Sequence, residues 1–391
     1  MKLVIVSQSY HPRPGGVTEN VYHSAEVLRQ RGHRVTVVTT HFESRDNGSH
    51  PEPDVVRIGR NVLAPVNGAW VNVTVGHGIY GRLKEVLHSL DPDVIHTHCP
   101  AAPTLPLMAL LAAPARSRVV GTFHAAGRSI MGYHLFKPVI RRLLQRIDRR
   151  IAVSNAAMDL ASRYFPGMYD VIPNGVDCRR FAPEHLPLDH LRDDAFNVLF
   201  VGRMDKRKGL KYLFRAVASL AGRTSRRLRL IVVGDDGPRR HLLPGLPGRV
   251  DLVYTGVVSK DELPRYLASG DVLCSPATER ESFGIVLLEA MASGIPVIGT
   301  GIPGYLTILR DGWNSLVVPA RDARSLSESI EKLMNDETLR WKLRSNALDF
   351  AQLYRWDRIV DRLEAVYRSE PADEVDLVPA SATPFARAQK A

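Results

Sequence analysis

The chain reads as an α/β protein built from two doubly wound, Rossmann-like units in tandem, and three observations carry that reading. Its 391 residues exceed what one ordinary hydrophobic core organises and suit two domains. Short β-branched runs alternate with helical patterns, the signature of parallel strands covered by helices on both faces. Glycine-bearing loops follow several of those runs, at the strand ends where doubly wound sheets bind ligands.

Strands are expected at 2–6, 34–39, 93–98, 118–123 and 150–153 in the first half, and at 197–201, 229–233, 251–254, 272–275 and 296–298 in the second. Between the halves, residues 173–194 are rich in Pro, Asp and Arg and lack periodicity, so they read as the linker. The domains are drawn at 1–183 and 184–351. A strong helical pattern follows from Trp356 to Tyr367, and residues 371–391, with Pro, Ala, Ser and mixed charge, are expected to be a disordered tail.

Composition narrows the class. A hydrophobic content of 45% and a charged content of 24% describe a folded globular chain. No apolar run approaches the roughly 20 residues that span a bilayer, and Met1-Lys2-Leu3-Val4-Ile5-Val6 leads into a polar turn rather than a signal-peptide core. The expected location is the cytoplasm. Cys99, Cys178 and Cys274 have neither metal-ligand nor redox spacing and read as small core residues. A formal net charge of +11 calls for an anionic partner, of which a nucleotide diphosphate and lipid headgroups lead. Without an aromatic RNA-binding strand or paired finger spacing, nucleic acid is not an expected partner.

The most informative segment is Glu281-Ser282-Phe283-Gly284-Ile285-Val286-Leu287-Leu288-Glu289. One carboxylate precedes a helix and the other lies two turns into it, about 12 Å apart at ~1.5 Å per residue, the span from the hexose to the ribose of a sugar nucleotide. Backbone donors around Ser282, Phe283 and Gly284 would favour the diphosphate between them. Earlier, Pro14-Gly15-Gly16-Val17 leads from the first strand into a helix near Thr18, either as a phosphate loop or as a plain tight turn. Gly202-Arg203-Met204-Asp205-Lys206-Arg207-Lys208-Gly209 brings Arg203 and Lys208 to a strand end, as ligand cations or as a solvated basic loop. Val233-Gly234-Asp235-Asp236-Gly237-Pro238 is a further strand-end loop.

Histidines mark the first half. His124 ends the strand at 118–123 and faces the expected crevice, in a functional or a structural role. His96 and His98 alternate onto one face of a strand; lacking a third ligand of matching spacing, they read as polar core lining rather than a metal site. Residues 135–150 read as a basic amphipathic helix. Leu135, Phe136, Val139, Ile140, Leu143, Leu144 and Ile147 form one stripe, and Lys137, Arg141, Arg142, Arg146, Arg149 and Arg150 occupy the rest. Such a helix docks on anionic membrane or simply packs with a solvated basic face.

Taken together, Pro14-Gly15-Gly16-Val17, Thr122-Phe123-His124, Ile172-Pro173-Asn174-Gly175-Val176-Asp177, Gly202-Arg203 through Lys208-Gly209, and Glu281-Ser282-Phe283-Gly284 through Glu289-Ala290-Met291-Ala292 resemble the retaining family-4 glycosyltransferases of GT-B fold. The nearest likeness is to bacterial phosphatidylinositol α-mannosyltransferases that use GDP-mannose. The resemblance implies two Rossmann-like domains facing across a cleft, with residues of about 352–370 packing back on the first. It implies that Gly16 lets the donor diphosphate approach and that Arg203 and Lys208 neutralise it. Glu281 would hold the hexose, with Ser282, Phe283, Gly284 and Ile285 around it, while Glu289 would hold the ribose and the backbone near Val258 the base. His124, Glu281, Arg203 and Lys208 would form the catalytic set. No cofactor or metal is required, the acceptor is a lipid or polyol hydroxyl, and the location would be peripheral on the inner membrane face. Two departures stand out: residues 61–81 contain no Lys or Arg, where the inositol-lipid enzymes place a basic residue, and Gly304 stands where many members carry Glu. The competing readings are a sugar-nucleotide epimerase of the same fold, a transferase using a UDP-sugar and a soluble acceptor, and a non-catalytic basic binding protein.

Overall fold

The computed structural model describes residues 1–13, 15–42, 54–66, 69–102, 104–127, 133–234 and 245–370. They divide into two compact units, Met1–Gly175 joined by a C-terminal helix from Trp356, and Val176–Arg355. Each unit is organised around one sheet.

The first unit runs β1 (Lys2–Val6), α1 (Gly16–Gln30), β2 (Arg34–His41), β3 (Val55–Val66), β4 (Ala69–Val75), α2 (Ile79–Leu90), β5 (Val94–His98), α3 (Leu105–Ala112), β6 (Arg118–Phe123), α4 (Tyr133–Leu144), β7 (Arg149–Ala152), α5 (Asn155–Tyr164) and β8 (Asp170–Val171). Its strand order is β4-β3-β2-β1-β5-β6-β7-β8, parallel except for the β3–β4 pair. Central strands such as Leu3-Val4-Ile5-Val6 are buried on both faces, so they read as continuous apolar runs.

The second unit runs β9 (Phe196–Val201), α6 (Leu210–Ala221), β10 (Leu228–Val233), β11 (Val250–Gly256), α7 (Glu262–Ala268), β12 (Val272–Ser275), α8 (Ile285–Ala292), β13 (Val297–Thr300), β14 (Leu316–Val318), α9 (Ala323–Asn335) and α10 (Glu337–Ala351). Its sheet, β11-β10-β9-β12-β13-β14, is wholly parallel. Helices cover both faces: α6 and α9 pack on one through Leu213, Phe214, Val217, Ile330 and Leu333, and α8 on the other through Leu287, Leu288 and Met291.

Each of the expected strands is present, with ends within two residues of the sequence reading. Four strands escaped it. β3 and β4 pair as a hairpin whose strands themselves carry Arg, Asn, Gly and Pro, which obscures the apolar pattern, and the sequence Asn67-Gly68, a dipeptide that favours tight hairpin turns, is the signal that points to it. β8 and β14 have two and three residues, too few for a periodic pattern. The expected tail, residues 371–391, lies outside the described residues, as do Pro14 and residues 235–238 of the third glycine loop.

The helix expected over residues 135–150 is shorter than the pattern suggested. α4 ends at Leu144, because Asp148 turns the chain into β7 by accepting from the Val119 amide at 2.7 Å and donating its own amide to Val119 O at 2.8 Å. Arg149 and Arg150 therefore belong to a strand. Arg149 pairs with Asp170 at 2.9 Å, and Arg150 donates to Pro166 O and lies over the Tyr169 ring. Arg146 donates to Ala113 O, which leaves Arg141 and Arg142 as the exposed, unpaired cations of the described part of the segment.

The stretch at 173–194 lacks regular structure apart from a 3₁₀ turn at Asp189–Leu191, yet it is no loose tether. Val176, Phe181, Leu188 and Leu191 are buried in the second unit's core, and the Val176 amide donates to Tyr354 O at 2.8 Å. After α10 the chain forms α11 (Trp356–Arg368), which belongs to the first unit. Ile359, Val360, Leu363 and Val366 share a core with Val21, Ala25 and Leu28 of α1. Charge fastens this contact: Arg31 reaches Asp361 at 2.7 Å and Glu364 at 3.0 Å, and His33 Nε2 reaches Glu364 Oε1 at 2.6 Å.

Burial pushes the Glu364 carboxyl up, but hydrogen bonds from His33 and Arg31 and the Arg31 charge outweigh it, so its folded-state value lies below the ordinary one. A lowered carboxylate contributes stability that is full above its unfolded pKa and is lost as pH falls through the folded value. Glu364→Gln is therefore expected to cost roughly 1–3 kcal/mol near neutrality. The deficit in urea midpoint relative to wild type should shrink as pH drops below the usual glutamate range; a constant deficit down to acid pH would show that the carboxylate charge is not what holds α11.

Candidate active site

In a doubly wound sheet, ligands meet the carboxyl ends of strands where the winding reverses. In the second unit that point lies between β9 and β12. The loops leaving these strands are joined: the Thr278 amide donates to Arg207 O at 2.7 Å, and Lys208 Nζ sits 3.0 Å from Glu281 Oε2. Both side chains of that pair are largely buried, 18% and 15% exposed, where an ion pair is far less screened than on an open surface.

Asp205 holds the Lys208 end of the pair. Its carboxylate accepts from the Arg207 and Lys208 amides at 2.9 and 3.2 Å, closing the 3₁₀ turn Lys206–Lys208. Burial pushes the Asp205 carboxyl up, but Arg207 and Arg203 outweigh it and keep it below the ordinary range. Arg203 stands apart. It is 70% exposed and 4.0 Å from Asp205, so its guanidinium is available to a ligand.

Tyr305 supports the Glu281 end. Its ring is fully buried, its hydroxyl bonds Ser275 Oγ at 2.7 Å, and it lies directly beneath Gly284. Gly284 adopts φ +97° and opens α8, which has no side-chain cap; the helix starts at Ile285 rather than at Ser282. Gly304 has a second role. A Cβ there would overlap the Glu281 carbonyl oxygen, so the glycine is what lets the Glu281 loop lie against residue 304. Phe283 points into the core, Ile285 and Val258 pack partly on it, and Glu289 lies in the second turn of α8.

In the first unit the reversal falls between β1 and β5. Gly15 and Gly16 are exposed at the start of α1, again without a side-chain cap. Register places His98 of β5 opposite Thr122 of β6, and so beside His124. His98 Nδ1 and His124 Nε2 are 2.9 Å apart, with the rings stacked at 5.1 Å. His96 bonds Thr122 Oγ1 at 2.6 Å and Tyr367 Oη at 2.8 Å. Burial lowers all three imidazoles, His96 and His124 to about 3 and His98 well below the usual value, so they are neutral at physiological pH. Just beyond, Cys99 takes φ +56°, uncommon for a residue with a Cβ, and its amide donates to Thr122 O.

The structure thus brings Lys208 together with Glu281, and His124 together with a residue that the sequence reading assigned only to core lining. That His98 link was visible in outline as H-x-H on a strand next to one ending in His, but the pairing of the strands was needed to complete it. Asp205 was missed although its bonds to the amides two and three positions on are a local capping signal, and Tyr305 was missed because it acts on a loop distant in sequence. Among the described residues no group of three or more His, Cys, Asp and Glu is arranged to hold a metal ion.

Two family models cover the chain, Glycosyltransferase Family 4 over residues 14–180 and Glycosyl transferases group 1 over residues 188–350. The chain is 33% identical to a phosphatidyl-myo-inositol mannosyltransferase of Mycolicibacterium smegmatis over 362 residues, 91% of this chain and 90% of that relative. It belongs to the family-4 glycosyltransferases. The enzyme of the same name from Mycobacterium leprae is 32% identical over 91% of this chain and 93% of its own. Among solved structures, Anabaena HepE in complex with UDP-glucose superposes with a TM-score of 0.73 at 21% identity, over 94% of this chain and 100% of that one, which shows the GT-B fold.

Gly304→Ala tests the packing beneath this glycosyltransferase's Glu281 loop. The added methyl should displace the loop and weaken binding of the donor nucleotide sugar at least tenfold, with a lesser loss for the nucleotide lacking the sugar. Equal affinities in wild type and variant, measured by calorimetry, would show that the loop does not depend on Gly304.

Proposed function

We propose that the chain transfers mannose from GDP-mannose, with retention and without a metal, to a hydroxyl of an inositol-type phospholipid. The Lys208–Glu281 pair at the strand-end reversal supports the transfer chemistry, and the names of the relatives that share about a third of the sequence support mannose and the lipid. In this reading the bond from the sugar's anomeric carbon to the diphosphate breaks and a bond to the acceptor oxygen forms on the same face. The acceptor proton passes to the departing phosphate. Arg203 and Lys208 meet the charge that develops on the diphosphate, Lys208 as a cation already held in place by Glu281 and Asp205 and Arg203 as an exposed one that closes on the ligand. Glu281 accepts hydrogen bonds from the hexose, Glu289 from the ribose, and the backbone near Val258 meets the base, with Gly16 leaving room for the phosphates. His124 works as a neutral group beside the sugar.

A second reading, a UDP-sugar donor with a soluble acceptor, has one observation in its favour: the absence of Lys and Arg from residues 61–81. A thermal-shift panel separates the donors. GDP-mannose should raise the melting temperature more than UDP-glucose does, because a ligand that binds only the native state stabilises it in proportion to its affinity; the reverse order would favour the second reading.

Glu281→Ala and His124→Ala should each lower kcat/KM by on the order of 10² without loss of fold. Turnover should persist in EDTA. Because His124 is lowered to about 3, kcat/KM should show no inflection from it between pH 5 and 8. An inflection near 6.5 that disappears in His124→Asn would show that the imidazole titrates in the working range.

Anionic membrane is the proposed partner of α4, now through Arg141 and Arg142 rather than the whole of residues 135–150. At about 1 kcal/mol per surface-proximal basic residue the binding would be weak, reversible and salt-sensitive. Replacing both with Glu should release the protein from acidic liposomes while donor binding is unchanged. If co-sedimentation does not fall, α4 is not the contact.

A further inference from the structure

His98 is fully buried, and its Nε2 has no hydrogen-bond partner among the described residues. Its Nδ1 meets His124 Nε2 at 2.9 Å. A neutral imidazole carries one proton, on one nitrogen or the other. Were the proton on Nε2, it would be a buried donor with nothing to donate to, a rare and costly arrangement, and Nδ1 and His124 Nε2 could be bonded only if His124 supplied the proton. With the proton on Nδ1, His98 donates to His124 Nε2 and leaves only a bare lone pair facing the core. His124 Nε2 is then an acceptor, and the single proton of that ring lies on Nδ1. The residue is partly exposed, and the one hydrogen bond of its ring among the described residues is that of Nε2 to His98.

We propose that His98 is a positioning residue that holds His124 as the Nδ1–H tautomer, so that His124 presents a fixed hydrogen-bond donor, not a lone pair, to an oxygen of the bound substrate. His96 supports the arrangement from behind. Its ring lies 4.4 Å from that of His98, and both its nitrogens are taken by hydroxyls of Thr122 and Tyr367, so it does not compete for His98. The low basicity of all three rings keeps a second proton from entering and erasing the tautomer. The ligand class is an oxygen acceptor, a sugar hydroxyl or phosphate oxygen, and His124 is excluded as the resting general base. This rests on the reading of His124 as a substrate-side residue, but the tautomer itself does not.

The test is a two-bond ¹H–¹⁵N spectrum of the full chain labelled with ¹⁵N-histidine, with His98 and His124 assigned by loss of their signals in single variants. Wild-type His124 should show a protonated Nδ1 and a bare Nε2. In His98→Leu, which cannot donate, His124 should move toward the Nε2–H form that free histidine favours, and kcat should fall roughly tenfold with little change in KM. In His98→Asn, whose amide can donate from nearly the Nδ1 position, the Nδ1–H form and most of the activity should return. A wild-type His124 protonated on Nε2 would overturn the proposal, as would a tautomer unchanged in His98→Leu, or losses of rate in the Leu and Asn variants that are equal. Should His98→Leu fail to fold, the wild-type and Asn spectra decide. If the tautomer is as stated while His124→Ala transfers sugar normally, the positioning stands and the substrate-side role of His124 falls.

Discussion

Parallel pairing forces a crossover after nearly every strand, and so sends the carboxyl ends of the parallel strands to one edge of each sheet. In the second unit this gathers the loops after β9 and β12 at the reversal of winding, and Lys208 meets Glu281 although 73 positions separate them in the chain. In the first unit the same rule sets β5 beside β6, so that His98 and His124 touch. The β3–β4 hairpin, the one antiparallel pair among the described strands, lies at the sheet's edge, where a break in the pattern disturbs no crossover.

The polar groups at these edges are held from below by buried contacts. Asp205 ties down the turn that carries Lys208, and Tyr305 with Gly304 sets the height of the Glu281 loop. Because Lys208 and Glu281 are fixed before a ligand arrives, charge developing on a departing phosphate in the proposed reaction would meet a cation already oriented. The histidines follow the same logic without charge. Three imidazoles in contact stay neutral, and what is available to them is direction, through the choice of which nitrogen carries the proton.

Much of the architecture was legible in the residues. Continuous apolar runs such as Val94 and Ile95 leading to His96 marked strands buried on two faces, and glycines after β9 and before α8 marked the ligand edge. The misreadings have local causes. The pattern over residues 135–150 keeps a helical period through Ile147, but Asp148 finds a better partner in the Val119 amide, and that competition is not written in the period. The aperiodic stretch at 173–194 looked like a tether because its apolar residues, Val176, Phe181, Leu188 and Leu191, are spaced for no regular element, although all are buried. Short edge strands carry too little pattern to read.

Residue type and order were enough for the alternation of strand and helix, the placing of cations and carboxylates at strand ends, and the family resemblance, because each depends on neighbours in the chain or on runs of a fixed period. Which of those groups touch was settled by folding. Lys208 with Glu281, His98 with His124, and Gly304 under the Glu281 carbonyl are contacts across 73, 26 and 23 positions, set by strand order and register. No periodicity spans such separations, and a shift of one residue in the register of β5 would carry His98 to the opposite face of its sheet, away from His124.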